Sequence, residues 1–420
     1  MKITLASASP RRAKILASLG VDFETRPADC AETSIPDDPE GTVGRNALAK
    51  AACVPGRNVL AADTIVWMDG RIYGKPRDLD EARKFLGELS GRTHIVFTGV
   101  AFNGRLKVEK SRVTMRRLDP AAIEEYVSSV RPVDRAGAYD IDESGSMIVE
   151  RYRGSYENIM GLPLEPLAEW GIIDSRPVGF FDSGWGGLSV LKEFWRTCPG
   201  EDTLYLADRK NCPYGNRGAD EILRISRENT GILLERGAKA VVVACNTATA
   251  AAIETLRREY PSVPFIGVEP AVKPAVSDSK TGVVGVIATA GTLGGGHYSR
   301  TKGRYASGAK IVASVADGFV GIVESKDRDD ILDGTVEWTA SDRAAVREVI
   351  APMLDAGCDT IVLGCTHFPH LAPLIEAECG ERAKIVDPSR AVALQIARVI
   401  EKNGLSADLA RPPVRMFMES

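Results

Sequence analysis

The stretch LLERGAKAVVVACNTATAAAIETL, beginning at Leu233, returns in altered form as MLDAGCDTIVLGCTHFPHLAPLI from Met353, with Leu, Gly, Val and Cys recurring in register so that Cys245 corresponds to Cys365. Each copy reads as a helix, a Gly stop, an apolar run rich in Val and Ile, and a Cys followed by small polar residues. Such a run is the pattern of a parallel strand buried on both faces and emptying into a loop. Open α/β sheets bind ligands at the carboxyl edge of their strands. The repeat therefore predicts two related α/β halves facing each other across a cleft, each presenting one thiol.

The remainder of the chain sets limits. Its 420 residues are enough for two or three domains of ~150 residues. A net charge of −4 removes the electrostatic case for general nucleic-acid or anionic-membrane binding, and leaves small anionic substrates in local basic pockets. Eight cysteines without a CxxC pair fit a reduced cytosol better than a disulfide scaffold or a zinc site. The opening MKITLASASPRR has too short an apolar stretch for a signal peptide, and nowhere do 18 apolar residues run together, so a cytoplasmic, non-membrane protein is expected. Strand-like and helix-like patterns alternate from end to end, which predicts α/β structure throughout. A boundary is expected near residue 175, between a segment ending LAEWG and the fresh strand-and-glycine unit PVGFFDSGWGGLSVLKEF. No Ser/Gly-rich linker lies there, and a homo-oligomer is compatible with all of this.

Ahead of that boundary, KITLASA leads into Ser9, Pro10, Arg11 and Arg12, so Ser9 is the expected N-cap and Pro10 the first helical residue. Two arginines in a first helical turn oppose the helix dipole at ~0.3–1 kcal/mol each, and call for an anion such as a polyphosphate unless both are simply solvated. Asp63 interrupts an apolar strand, where a carboxylate is costly without a cationic partner, although an acid at a strand end also caps turns. Lys75, in a Gly-Lys-Pro turn, suits a phosphate or plain solvent. Glu32 and Asp63 suit a Mg²⁺ bridging phosphate oxygens.

These residues resemble the Maf family of nucleoside triphosphate pyrophosphatases. The matching pieces are LASASPRR, AADTIV, GKPRD, LSGRTHIVFTGV, PVDRAGAYDI and GSYENIMGLPL, in family order over roughly residues 1 to 174. The resemblance implies a Maf-like α/β domain with a central cleft over 1–175. It also implies hydrolysis of a nucleoside triphosphate to the monophosphate and pyrophosphate, with Asp63 as general base and a divalent metal. Arg11, Arg12, Glu32, Lys50 and Lys75 match positions around the triphosphate. Arg11 and Thr64 match the branch acting on dTTP and UTP, whereas Asp142 stands where that branch has glutamine. A carboxylate accepts hydrogen bonds and donates none, which counts against a thymine or uracil carbonyl at that position.

Behind the boundary, two facing thiols suit proton removal from one side of an amino-acid α-carbon and proton return to the other. A free thiol with its ordinary pKa of ~8.5 reaches either protonation state with modest tuning. One such Cys alone would be a small buried hydrophobe; two in matched strand-end settings are not. The copies differ in their helpers. Asp182 aligns with Ala288, Ser183 with Thr289, and Thr247 with His367, so Asp182 is expected to tune Cys245 and His367 to tune Cys365. As lone residues, the Asp would read as a turn former and the His as structural.

DSGWGGL, CPYGNR, ACNTAT, VEPA, IATAGT and GCTHFP resemble, in family order, the cofactor-independent glutamate racemases of the aspartate/glutamate racemase superfamily. The resemblance implies two pseudo-symmetric doubly wound α/β lobes within 176–420, with the active site between them. Lobe one covers about 177–270 plus 391–420 and lobe two about 271–390. It implies interconversion of L- and D-glutamate for peptidoglycan, without pyridoxal phosphate. Asp182, Ser183, Tyr214, Gly215, Asn246, Thr247, Thr366 and His367 match substrate-contacting positions, and Glu324 a further acidic one. GTLGGGHY, ADGFVGIVE and Trp185 depart from the family pattern and bear on the cleft walls. The rival expectations are a racemase for aspartate or another acidic substrate, and one half serving as a nucleotide-sensing module.

Overall fold

The computed structural model describes residues 2–142, 144–173, 175–294, 309–407 and 412–420. Contacts divide the chain into two compact units, Met1–Asp174 and Ser175–Ser420. The glycine-rich GTLGGGHY segment lies partly outside the described residues.

Among the described residues of the first unit, one mixed sheet holds β1 (Ile3–Leu5), β2 (Phe23–Thr25), β3 (Val59–Met68), β4 (Arg71–Tyr73), β5 (Thr93–Phe102), β6 (Arg105–Met115) and β7 (Val149–Arg153). The order is β2-β1-β3-β5-β6-β7, with β4 on the far part of β3. β1 pairs in parallel with β2 and β3, while β3, β5, β6 and β7 pair antiparallel. Asn103 and Gly104, both at positive φ, turn β5 into β6, as the right-handed strand twist favours. The helix Pro39–Cys53, capped by the Asp38 carboxylate, crosses β3 and β5. It comes so close at Gly99 that a Cβ there would lie 2.4 Å from the Val43 carbonyl oxygen. That contact lays the helix face bearing Asn46 and Lys50 beside Asp63 of β3.

Among its described residues, the second unit contains two parallel sheets. One holds β8 (Val178–Asp182), β9 (Thr203–Ala207), β10 (Ala240–Val243), β11 (Phe265–Gly267) and β16 (Arg415–Glu419), in the order β11-β10-β8-β9-β16. The other holds β12 (Val283–Ala288), β13 (Lys310–Val315), β14 (Thr360–Leu363) and β15 (Lys384–Val386), in the order β13-β12-β14-β15. β8, β10 and β14 are buried along their whole length, which is why they read as unbroken apolar runs rather than alternating ones. A single core cluster runs from Val178, Phe180 and Val242 of the first sheet to Ile287, Ile361 and Leu363 of the second. The helix Ser389–Lys402 packs on Leu188–Thr197, and β16 pairs in parallel with β9, so the chain ends its course on the sheet where this unit began.

Candidate functional site

In the first unit, the carboxyl end of β1 and the middle of β3 open into a cavity of about 630 Å³. Arg11, Arg12, Glu32, Lys50, Asp63, Thr64 and Lys75 all line it. Asp63 is buried, and both its oxygens are held: Lys50 Nζ donates to Oδ1 at 2.6 Å and the Asn46 amide to Oδ2 at 2.9 Å. Lys50 also reaches Glu32 Oε1 at 2.8 Å. The two carboxylates chosen from the sequence as a metal pair thus converge on one cation, and that cation is the lysine ammonium. Among the described residues no cluster of three or more His, Cys, Asp or Glu has metal-binding spacing.

The arginine expectation changes. Ser9 occupies the N-cap of the helix Pro10–Ser18 but makes no side-chain cap. Arg12 is buried and donates to Gly161 O at 2.8 Å, Ser7 Oγ at 2.9 Å and Thr64 Oγ1 at 3.0 Å. Its compensation is a set of neutral oxygens, and burial depresses its guanidinium to about 10 against the pull of Asp63. Arg11 faces Asp134 at 3.5 Å. Asp142 does not line the cavity: Lys14 and Tyr156 engage its carboxylate, and its neighbours Asp140 and Ile141 stand on the wall instead. Asn46 was missed in the sequence, although it lies one helical turn before Lys50 on the same face.

In the second unit, Asp182 ends β8, and Cys245 and Cys365 each lie two residues past their strands, β10 and β14. No open loop follows Cys245. It is the N-cap of the helix Asn246–Glu259, makes no side-chain cap, and has the Ala248 and Thr247 amides favouring a charged sulfur. Burial nevertheless drives this thiol well above its ordinary pKa, and the charges of Asp182 and Cys365 add to the rise. Asp182, fully buried, is itself pushed up to about 6 by desolvation, against the opposing effects of His367 and the Gly187 and Gly184 amides. Its Oδ2 accepts from Gly187 N at 3.0 Å and Gly184 N at 3.3 Å, and its Oδ1 accepts from Thr366 Oγ1 at 3.4 Å.

His367 Nδ1 lies 3.6 Å from Cys365 Sγ, and its Nε2 is 2.8 Å from Glu324 Oε1. Burial opposes a charge on this ring, but the bonds to Cys365 and Glu324 prevail and hold it well above the usual histidine range. Glu324 lies below its ordinary value despite burial, because His367, the Trp185 amide and Arg209 all favour its charge. The division of helpers expected from the sequence is therefore incomplete: Asp182 acts on Cys245 and, through its charge, on His367 as well.

Around these groups, Asn246 is buried with neither end of its amide bonded. Thr247, Thr289 and Thr292 form a buried triangle of hydroxyls with edges of 3.0–3.3 Å. The Tyr214 hydroxyl donates to Asp208 Oδ2 at 2.6 Å, Gly215 packs against Thr289 and Gly291, and Ser183 is buried beside Cys212. Arg209 grips Glu324 at Oε2 and at its carbonyl and stacks over Trp185. No local pattern signals that contact, which joins positions 115 residues apart.

Known proteins match both units. The family described as Maf-like protein matches residues 2–170, and the family described as Asp/Glu/Hydantoin racemase matches residues 187–396. The glutamate racemase of Roseiflexus sp. (strain RS-1) is 45% identical over 231 residues, covering 55% of this chain and 82% of that protein. That of Herpetosiphon aurantiacus is 44% identical over 237 residues, covering 56% and 88%. Among solved structures, a glutamate racemase isoform of Bacillus anthracis superposes with a TM-score of 0.51 at 32% identity, over 58% of this chain and 88% of that one. The Escherichia coli glutamate racemase, solved with L-glutamate and the activator UDP-MurNAc-Ala, gives 0.51 at 30% identity over 58% and 89%. The chain therefore belongs to the Asp/Glu racemase family through its second unit and carries a Maf-family domain in front of it.

Proposed function

We propose that the second unit interconverts L- and D-glutamate by a two-base mechanism between Cys245 and Cys365. The observation that carries this reading is the pair of unlike thiol settings at matched strand ends. Cys245, raised by burial and by Asp182, is held as the proton donor. The His367 ring, braced by Glu324, faces the Cys365 sulfur, and Cys365 takes the part of the base. After one turnover the protonation states are exchanged, and the opposite enantiomer is the substrate for return. The unpaired Asn246 amide, the threonine hydroxyls and the backbone amides around Ser183 and Thr366 supply neutral donors for the two substrate carboxylates. Proton transfer between thiols needs no electron sink, so pyridoxal phosphate has no task. The product D-glutamate would supply peptidoglycan synthesis in the cytoplasm. Incubation in D₂O should wash deuterium into the α-position of both enantiomers; absence of exchange refutes the assignment, and faster exchange with aspartate redirects it.

The first unit, on the same footing, hydrolyses a nucleoside triphosphate to the monophosphate and pyrophosphate. Asp63 is the general base: Lys50 and Asn46 fix its two oxygens, each of which keeps a lone pair for an attacking water. Arg11 and Lys75 neutralise phosphate charge at the cavity wall, and Arg12 keeps Thr64 and the Gly161 carbonyl in place. Glu32 and Asp63, whose carboxylates already converge on the Lys50 ammonium, would hold a Mg²⁺ if Lys50 gave up that place. When bound, the metal would neutralise phosphate charge. dTTP or UTP is the leading substrate on the strength of Arg11 and Thr64. Pyrophosphate release across a panel of triphosphates tests this, and Asp63→Asn should abolish it while racemisation continues.

A further inference from the structure

The loop that carries Glu32 runs antiparallel along one face of the helix Pro39–Cys53. Thr33 is stitched to Asn46 by three hydrogen bonds: its amide and its hydroxyl donate to Asn46 Oδ1 at 2.8 and 3.1 Å, and its carbonyl accepts from Asn46 Nδ2 at 3.0 Å. One turn on, Glu32 meets Lys50 at 2.8 Å. Asn46, Lys50 and Cys53 follow the i, i+4, i+7 spacing of one helix stripe. From Asn46 to Cys53 the helix advances about 10.5 Å at 1.5 Å per residue, and the three residues from Thr33 back to Cys30 reach about 10 Å when extended. The register set by the first two contacts thus lays Cys30 on Cys53, and the two side chains interact there. Beside this pair, Ala28 from the loop and Ala51 from the helix each pack on the small core of Ala6, Val54, Val59 and Ala61. Both thiols are free; Cys53 is exposed and Cys30 partly so, whereas Cys245 and Cys365 are buried.

We propose that Cys30 and Cys53 form a reversible oxidation site, closed by thiol–disulfide exchange with a small-molecule disulfide, that ties the Glu32 loop to its helix and slows pyrophosphate release. The exposed Cys53 sulfur attacks the reagent RSSR, breaking its S–S bond and releasing one RSH, which takes the thiol proton. Cys30 then attacks the Cys53 sulfur of the mixed disulfide and expels the second RSH. The two cysteines are oxidised, and the reagent is reduced to two thiols. The cross-link adds a third tie to the Thr33–Asn46 and Glu32–Lys50 contacts. It holds Lys50 between Glu32 and Asp63, where it opposes the rearrangement that a triphosphate and its metal require. Disulfides in reducing compartments are mostly of this transient kind.

The coupling half of the proposal rests on the first unit being a nucleoside triphosphate pyrophosphatase. The experiment exposes the full chain to oxidised glutathione, maps disulfide-linked peptides by mass, and follows both pyrophosphate release and glutamate racemisation. A Cys30–Cys53 peptide pair lighter by two hydrogens is expected. Pyrophosphate release should fall about tenfold, equivalent to ~1.4 kcal/mol on the barrier, and dithiothreitol should restore it. Cys53→Ser should release pyrophosphate normally and be insensitive to the oxidant. A mixed disulfide that stays on Cys53 overturns the pair; a cross-link without a change in rate overturns the coupling. Equal slowing of Cys53→Ser assigns the effect to other thiols and overturns the proposal. If the reduced chain releases pyrophosphate from no triphosphate, the functional reading fails, while the mass map still decides the cross-link.

Discussion

Replacing Asp182 by Asn should make the second unit more stable and less active at the same time. The carboxyl is fully buried and titrates at about 6 in the fold against 3.8 for the free group. A carboxylate whose folded pKa is raised favours the native state when protonated, so its contribution is intact below 3.8, declines as pH rises toward 6, and is constant above. At ~1.4 kcal/mol per pKa unit, the ionised group costs the fold about 3 kcal/mol above pH ~6.5 and about half that near pH 5. Asparagine is a close isostere. Its carbonyl can accept from the Gly187 and Gly184 amides that now bond Oδ2, and its NH₂ can donate to the Thr366 hydroxyl. Calorimetry of the full chain near pH 5 and pH 8 should show the racemase transition raised in the variant, and raised more at the higher pH. Turnover should drop ~10²-fold or more, the usual scale for losing acid–base assistance.

The kinetic readout needs care with symmetry. The two enantiomers have equal free energy in solution, so kcat/KM must be the same in both directions in every variant. A defect confined to the Cys245 side shows instead in kcat and in the primary isotope effect with α-deuterated substrate in one direction. Stability that is unchanged, or that rises more at low pH than at high pH, would refute the argument that Asp182 is held at a cost for its chemistry.

Three further outcomes follow from the geometry. A Cβ on Gly186 would lie 2.3 Å from His367 Nδ1, so Gly186→Ala should push the ring from Cys365 and lower racemisation ~10²-fold, with pyrophosphate release unchanged. Arg12→Lys cannot satisfy Gly161 O, Ser7 Oγ and Thr64 Oγ1 together; the first unit should lose ~1–3 kcal/mol in urea unfolding. Lys239 and Glu201 form a buried ion pair, and Lys239→Met, by stranding the Glu201 charge, should cost ~3–5 kcal/mol in the second unit, read by the same method.

The paired thiols, their strands and Asp63 were legible in the sequence because each is a local contrast: a polar or reactive group at the end or in the middle of an apolar run. Groups that meet only in space were not. Nothing near Glu324 announces that its carboxylate braces a histidine 43 positions away and accepts from the Trp185 amide 139 positions away. The neutral partners of Arg12 escaped notice for a related reason. The helix-dipole argument counts charge along one helix, whereas three oxygens brought in from Ser7, Thr64 and Gly161 already meet that guanidinium. Asp142 shows the converse: an alignment names a position, but its engagement by Lys14 and Tyr156 is visible only in the fold.

The pairing of β16 with β9 imposes an order of assembly. Asp182 and Cys245 are made early, yet the sheet that bears them acquires its edge strand only when residues 415–419 are available, after all of β12–β15 has been synthesised. A chain emerging from the ribosome can therefore complete the sheet behind Cys365 first, and must leave the one behind Cys245 with β9 unpaired along one side.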